Sequence, residues 1–298
     1  MSEETAGHRL QRRQVDANGL TFECLHSGGG DRLALCLHGF PDNAGSMAPI
    51  MWRLVEEGFT AVAPFTRGYA PTDPAPDGTY SARVLGRDAV ALAGALATEF
   101  DTEDAVLVGH DWGAAAAYAA DRVDSDAFSK LVAMAVPPGF NALVSEHRRQ
   151  FLRSWYMWFF QLPDLPERAL RWRNFALIEF LWGIWSPEWD YPDSRINDVK
   201  ETFRAEGTVE HAIQYYRDTI NVSPSDILGN GPTLRDVPPI ETPTLVICGE
   251  RDGSVGPELF ERADEVIEDC RVVRIPDVGH FMHHERPDVV GDEIAAFL

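Results

Sequence analysis

Between an apolar run, Ala105–Val108, and an alanine-rich stretch, Ala114–Ala120, stands the pentapeptide Gly109-His110-Asp111-Trp112-Gly113. Its glycines permit a sharp strand-to-helix turn that lifts the central side chain above a sheet edge. That side chain is Asp111, at the nucleophile-elbow position where esterases carry serine. N–H groups at the start of the following helix face any negative charge there. The plain alternative is an aspartate that only caps the helix. A carboxylate is already anionic near neutral pH, so it attacks carbon without the base that a serine needs. The chemistry this predicts is a covalent ester between Asp111 and the opened substrate.

Two more groups fall where such a nucleophile needs them. Thr244–Cys248 reads as a strand and runs into Gly249-Glu250-Arg251-Asp252, which puts an acid just past a strand end. Arg271–Ile275 runs into Val278-Gly279-His280-Phe281, which puts a histidine past the next strand. Sites in open α/β sheets lie outside the carboxyl ends of the strands, and nucleophile, acid, histidine is the chain order of the α/β-hydrolase triad. His283 and His284 compete with His280, but they read as the beginning or cap of the last helix. Asp277 competes with Asp252, but it is too near His280 in sequence to approach from a neighbouring strand. A third turn, His38-Gly39-Phe40-Pro41, follows the strand Leu33–Leu37. Its Phe40 N–H, with that of Trp112, is placed to form an oxyanion hole.

The elements that must position these groups alternate. Short strands around Gln14–Val15 and Thr21–Leu25 flank the turn signal Asn18-Gly19. Leu33–Leu37 is continuously apolar, as in a strand covered on both faces. A helix at Ser46–Glu57, a strand at Thr60–Ala63 and a helix at Ala82–Phe100 follow; in the last, Leu85, Ala89, Leu92 and Leu96 share one face. Ala105–Val108 and Leu131–Val136 are further strands. The alternation stops at Pro137, and six of the eight tryptophans fall between Trp155 and Trp189. It resumes at Pro243–Cys248, with a helix near Pro257–Glu268, the strand Arg271–Ile275 and a closing helix from Pro287. The expectation is an α/β fold with a mostly parallel sheet, helices on both faces and an inserted helical cap. The first part of the core spans 1–136, the cap 137–225, and the second part of the core 226–298.

Composition narrows the class. At 298 residues and 45% apolar content the chain fills one large α/β domain or a core with an insertion. The formal net charge of −21 disfavours nucleic acid as a partner. The polar stretch Met1–Gln14 lacks the apolar run of a secretory signal, and nothing approaches the roughly 20 apolar residues of a membrane span. The expected setting is cytoplasmic, without membrane contact, as a monomer or homodimer. Cys24, Cys36, Cys248 and Cys270 lack metal-ligand spacing and read as inert thiols. Lys130 and Lys200 are the only lysines, and such acidity resembles a salt-adapted surface. Salt at 1 M cuts the Debye length to about 3 Å and screens carboxylate repulsion. The melting temperature is therefore expected to rise between low and molar salt; an unchanged value removes this reading.

The motifs His38-Gly39-Phe40-Pro41, Arg67-Gly68-Tyr69, Gly109-His110-Asp111-Trp112-Gly113, Asp252 and Gly279-His280-Phe281 together resemble one group. Over nearly its whole length the chain looks like an α/β-hydrolase of the epoxide hydrolase and haloalkane dehalogenase group, nearer to the epoxide hydrolases. The resemblance implies a cis bond before Pro41 and two cap tyrosines that assist the leaving oxygen. Trp155-Tyr156-Met157-Trp158-Phe159-Phe160-Gln161-Leu162-Pro163 is similar to the first tyrosine segment and aligns Tyr156. Gln214-Tyr215-Tyr216-Arg217 is similar to the second and aligns Tyr216, with Tyr215 as the fallback. Haloalkane dehalogenases cradle halide with the tryptophan after the nucleophile, matched by Trp112, and commonly an asparagine where Phe40 stands here. Fluoroacetate dehalogenases carry arginine at the Trp112 position, which argues against a small anionic substrate.

The expected function is hydrolysis of an apolar epoxide to a diol, with Asp111, Asp252, His280, Tyr156 and Tyr216 catalytic; haloalkane dehalogenation by the same triad is the alternative. His38, Pro41, Trp112 and Trp155 are expected in the substrate pocket. The aromatic cap residues Trp155, Trp158, Phe159, Phe160, Trp172, Phe175, Trp182 and Trp185 are expected to wall it. Water is the co-substrate, and no motif implies a cofactor or metal.

Overall fold

The computed structural model describes residues 9–220 and 232–298. Its strands are β1 (Gln11–Ala17), β2 (Leu20–Ser27), β3 (Arg32–Leu37), β4 (Phe59–Pro64), β5 (Asp104–His110), β6 (Lys130–Met134), β7 (Thr244–Gly249) and β8 (Cys270–Ile275). They form one sheet in the order β1-β2-β4-β3-β5-β6-β7-β8. β1 and β2 pair antiparallel through a two-residue turn whose Asn18 and Gly19 both take positive φ, 46° and 77°. β2 meets β4 antiparallel, and every pair from β4 to β8 is parallel.

Burial follows position in the sheet. β4 and β7 are buried at every residue, and Val106–Val108 and Leu131–Met134 are wholly enclosed. β8, the edge strand, turns Arg271 and Val272 to solvent, which blunts it against pairing with another chain. The chain leaves β3 through helix α1 (Ala48–Glu56) to β4 on one side, then crosses through α2 (Ala82–Phe100) to β5 on the other. Right-handed crossovers in opposite directions put α1 and α2 on opposite faces of the sheet. α3 (Trp112–Val123), which joins β5 to β6, packs beside α2. There Gly86 lets the helices close: a Cβ would stand 2.6 Å from the Ala119 carbonyl carbon.

Between β6 and β7 lie α4 (Phe140–Glu146), α5 (Arg148–Arg153), α6 (Trp155–Phe159), α7 (Leu165–Arg171), α8 (Ala176–Trp185), α9 (Asp193–Arg204) and α10 (Thr208–Thr219). The helical stretch expected from Pro137 is therefore present, while its expected boundary at 225 lies outside the described residues. The expected helix near Pro257 is instead a 3-10 stretch, Pro257–Glu265, with non-helical backbone at Arg262. His283 and His284 belong to a separate short helix, α11 (Met282–Glu285), and do not begin the last one, α12 (Pro287–Phe297). Among the described residues no helix is long and apolar enough to cross a membrane.

A buried ion pair ties the turn after β4 to α2. Arg67 donates from Nε and Nη2 to Asp88 at 2.5 and 2.6 Å, and Asn18 adds a bond of 2.7 Å to the same carboxylate. Both charged side chains are almost fully enclosed. Loss of one partner strands the other charge. Asp88→Ala is expected to lower unfolding free energy by about 3–5 kcal/mol, measured by chemical denaturation.

Candidate active site

Asp111 sits at φ 52° and ψ −112°, a conformation that side-chain-bearing residues rarely adopt. Such strain costs on the order of 1–3 kcal/mol and persists only where the surroundings enforce it. The two flanking glycines show the enforcement. A Cβ at Gly109 would stand 2.1 Å from the Gly113 oxygen, and one at Gly113 2.1 Å from the Leu37 oxygen. The elbow therefore closes only with glycine at both ends. The Asp111 N–H remains bonded to the Met134 carbonyl of β6, at 3.1 Å.

The three residues expected to form the triad meet. His280 Nδ1 lies 2.8 Å from Asp252 Oδ2, and His280 Nε2 lies 3.6 Å from Asp111 Oδ2. Asp252 is fixed in turn by the N–H groups of Ser254 and Val255, at 2.7 and 2.9 Å from Oδ1. His280 is completely buried. Burial alone would lower its pKa; the charges of Asp252 and Asp111 and the bond to Asp252 outweigh it and lift the imidazole to about 10. At rest the ring is an imidazolium between two carboxylates. Asp277, the rival acid, pairs with Arg251 at the surface, 2.7 Å away.

The turn after β3 reaches the same point. Phe40 N–H donates to Asp111 Oδ1 at 2.7 Å, and the Phe40-Pro41 bond is cis. Gly39 is obligatory, since a Cβ there would stand 2.3 Å from Asp111 Oδ1. Trp112 opens α3, where a helix leaves its N–H groups unpaired. His38 and Pro41, expected in the pocket, do not line the cavity beside Asp111. His38 is buried behind the turn: its Nε2 accepts from the Thr66 N–H at 3.1 Å and its Nδ1 meets the Gly39 carbonyl at 3.0 Å. Burial holds this ring down at about 4, so it acts as a neutral brace. The Pro41 carbonyl is occupied by the Trp182 indole at 3.1 Å.

The cavity itself has a volume of about 300 Å³. Asp111, Trp112, Tyr156, Met157 and Tyr216 form its buried end, with Val136, Pro137 and Val255 as apolar walls. Tyr156 bonds Ser254 Oγ at 3.0 Å, while among the described residues the buried Tyr216 hydroxyl has no hydrogen-bond partner within normal distance. Burial and the charge of Asp111 raise both tyrosines above their ordinary range, so both remain protonated donors. Of the paired tyrosines Tyr216 lines the cavity and Tyr215 does not; Tyr215 spends its hydroxyl on the Arg67 carbonyl at 2.7 Å. Trp155 is a correction. It is 38% exposed and lies outside the cavity.

The wider aromatic wall is a correction too. Phe160, Trp182 and Trp185 are wholly buried against Phe40 and Phe281 of the sheet-end loops, and Trp172 faces solvent. Aromatic content there packs the inserted helices onto the loops at the sheet end. Val136 and Val255, which no motif marked, and Met157, which lies in the first tyrosine segment without a role assigned to it, do the lining instead.

Among the described residues one group of metal-ligating type occurs: Asp42, His283 and His284 bring donor atoms within 4.8 Å of one another. Burial pushes the Asp42 carboxyl up to about 6 against the opposing pull of Arg195, whose guanidinium already bonds it. That fixed positive charge opposes a second cation. Burial likewise holds His283 and His284 well below the ordinary histidine range, so both are neutral. The four cysteines are free; burial pushes the Cys36 thiol up to about 12, which leaves it unreactive.

Residues 34–293 match the α/β hydrolase family, and the chain belongs to it. It is 28% identical over 290 residues to the AB hydrolase superfamily protein YfhM of Bacillus subtilis, covering 95% of this chain and 96% of that one. It is 27% identical over 325 residues to epoxide hydrolase A of Mycobacterium tuberculosis, covering 96% of each. Epoxide hydrolase 3 of Xenopus tropicalis is 28% identical over 298 residues, covering 94% of this chain and 75% of that one. The crystal structure of a Bacillus megaterium epoxide hydrolase with an inhibitor superposes with a TM-score of 0.80 at 24% identity, covering 96% of this chain and 99% of that one, which shows a shared fold.

Proposed function

We propose that the chain is a cytoplasmic epoxide hydrolase that opens apolar epoxides to vicinal diols, its inserted helices serving as the cap. One observation carries the reading: a buried carboxylate backed by a histidine–aspartate pair faces, across one apolar cavity, two protonated tyrosines.

An Asp111 oxygen attacks an epoxide carbon, and the ring C–O bond breaks with its electron pair on oxygen. Tyr156 or Tyr216 gives that oxygen a proton. Asp111 is now an ester and has lost the charge facing His280, so the imidazolium gives its proton to the tyrosinate. Neutral His280 then takes a proton from water, and the hydroxide adds to the ester carbonyl. The Phe40 and Trp112 N–H groups hold the oxyanion, each worth about 3 kcal/mol in such a role. Collapse expels the alkoxide and forms a carboxylic acid, which passes its proton to that alkoxide, so Asp111 is again a carboxylate and His280 an imidazolium, as they began. The raised pKa of the resting histidine thus fits a base that is released only after the ester forms.

Tyr156→Phe and Tyr216→Phe are each expected to slow ester formation roughly 10–100-fold while changing ester hydrolysis little, read by single-turnover quench. Equal slowing of both steps would remove the tyrosines from ring opening. The parent reading is tested by offering styrene oxide and 1-bromohexane in parallel and measuring diol and halide. Halide release without diol would sink it.

One observation favours a second reading. Among the described residues the buried Trp112 indole N–H has no hydrogen-bond partner within normal distance and stands beside Tyr216 at the cavity, a pairing that suits a halide, so haloalkane dehalogenation is the alternative that the same experiment detects.

A further inference from the structure

A helix leaves its last carbonyls without partners inside the helix. At the end of α8 those partners come from the two loops that carry Asp252 and His280. The Trp185 carbonyl accepts from Gly253 N–H and from His280 N–H, both at 3.1 Å. The next residue, Ser186, accepts from Phe281 N–H at 3.0 Å and donates to Glu285 Oε1 at 2.7 Å. The same carboxylate accepts the Gly279 N–H, at 2.9 and 3.0 Å from its two oxygens.

Two glycines record how tightly this joint closes. A Cβ at Gly253, one residue past Asp252, would stand 1.9 Å from the Ile184 oxygen. A Cβ at Gly279, one residue before His280, would stand 2.5 Å from both the Trp185 oxygen and the Ser186 Cα. The Trp185 ring packs edge-on to the His280 ring, with centroids 5.0 Å apart.

We propose that the end of α8, with Ser186 and Glu285, is a positioning device that holds the acid loop and the base loop in register so that His280 meets Asp111 and its water. Its catalytic consequence rests on the epoxide hydrolase reading above. None of these residues lines the cavity beside Asp111. Their bonds form a directed chain: Phe281 N–H to Ser186 oxygen, Ser186 hydroxyl to the Glu285 carboxylate. A charged acceptor at the end strengthens each bond before it. The negative end of α8 also faces His280 and favours its imidazolium. The ionisable groups facing His280 are Asp111, Asp252, His110, His283 and Glu285.

The test uses Ser186→Ala and Glu285→Gln in the full chain, with two readouts. The first is the Nδ1–H proton resonance of the His280–Asp252 pair, which needs no substrate. It is expected to broaden or move in both variants, and to recover in Ser186→Thr. The second is single-turnover quench with styrene oxide: ester formation is expected within about twofold of wild type, with ester hydrolysis slowed ~10–100-fold. In Glu285→Gln the acid limb of ester hydrolysis is also expected to move to lower pH, since a negative charge near the imidazole is gone. An unmoved resonance in both variants, or equal slowing of both steps, overturns the proposal. If Glu285→Gln does not fold, Ser186→Ala decides alone. A moved resonance in a protein whose wild type forms no ester supports the positioning role and removes the epoxide reading instead.

Discussion

Asp111→Asn is expected to lower epoxide turnover by roughly 10⁴-fold or more, the scale seen when a covalent nucleophile is removed. The carboxamide keeps nearly the same shape, so the Phe40 N–H still has an oxygen to bond and the elbow keeps its glycine-enforced turn. Only the nucleophile is lost. A second measurement belongs to the same variant. His280 owes part of its raised pKa to Asp111, so removing that charge should lower the imidazole pKa from about 10, as followed by NMR titration. Turnover surviving in Asp111→Asn, without deamidation by mass spectrometry, would mean that water attacks the epoxide directly. Single turnover of the unaltered protein in heavy-oxygen water separates the same cases: an ester route puts the label first into Asp111.

His280→Gln is expected to stop the reaction halfway. The first step needs an anionic carboxylate and two hydroxyl donors, all still present. The second needs a base, and losing one typically costs about 10²–10⁴-fold. Intact-protein mass should therefore rise by one substrate and remain raised. The pH behaviour of the unaltered protein follows from the same ring. While Asp111 is charged, His280 stays protonated up to about 10, so ester formation should be flat between roughly pH 6 and 9. Once the ester forms, the ring loses that support and its pKa drops. Ester hydrolysis should then fall as pH decreases through the lowered value. A variant that forms no ester, or hydrolyses it at the normal rate, removes His280 from the base role.

Much of this site was legible because the chemistry depends on local backbone. Gly109, Gly113 and Gly39 each stand where a side chain would collide, so the elbow and the oxyanion turn leave marks in sequence. Asp252 and His280 follow strands that pair in parallel, and strand ends are visible as the limits of apolar runs. What stayed hidden depends on which way a helix turns. Trp155 and Tyr156 are neighbours in sequence, yet one faces solvent and the other the cavity, about 100° apart around the helix. The aromatic-rich segment misled for the same reason, since composition records how much apolar surface is buried but not against what. His38 drew attention by its place in a motif, although its bonds make it a brace. Ser186 and Glu285 are 99 positions apart and carry no motif; only the folded chain brings them together.

The cavity runs along one side of α3, from Asp111 past Ala115 and Tyr118 to Arg122. Eleven helical residues at about 1.5 Å each make that path ~16 Å long. The lining residues open to solvent, Arg122, Asn141, Pro232, Asp236 and Pro238, stand away from its buried end. Molecules therefore travel this passage lengthwise, and a slender substrate presents its tip to Asp111. On the epoxide hydrolase reading, an apolar substrate enters along these walls and a polar diol leaves along them. Between the buried end and the mouth, Val136, Pro137 and Val255 offer the new hydroxyls no side-chain partner, so on that reading the passage favours entry of the substrate over lingering of the product.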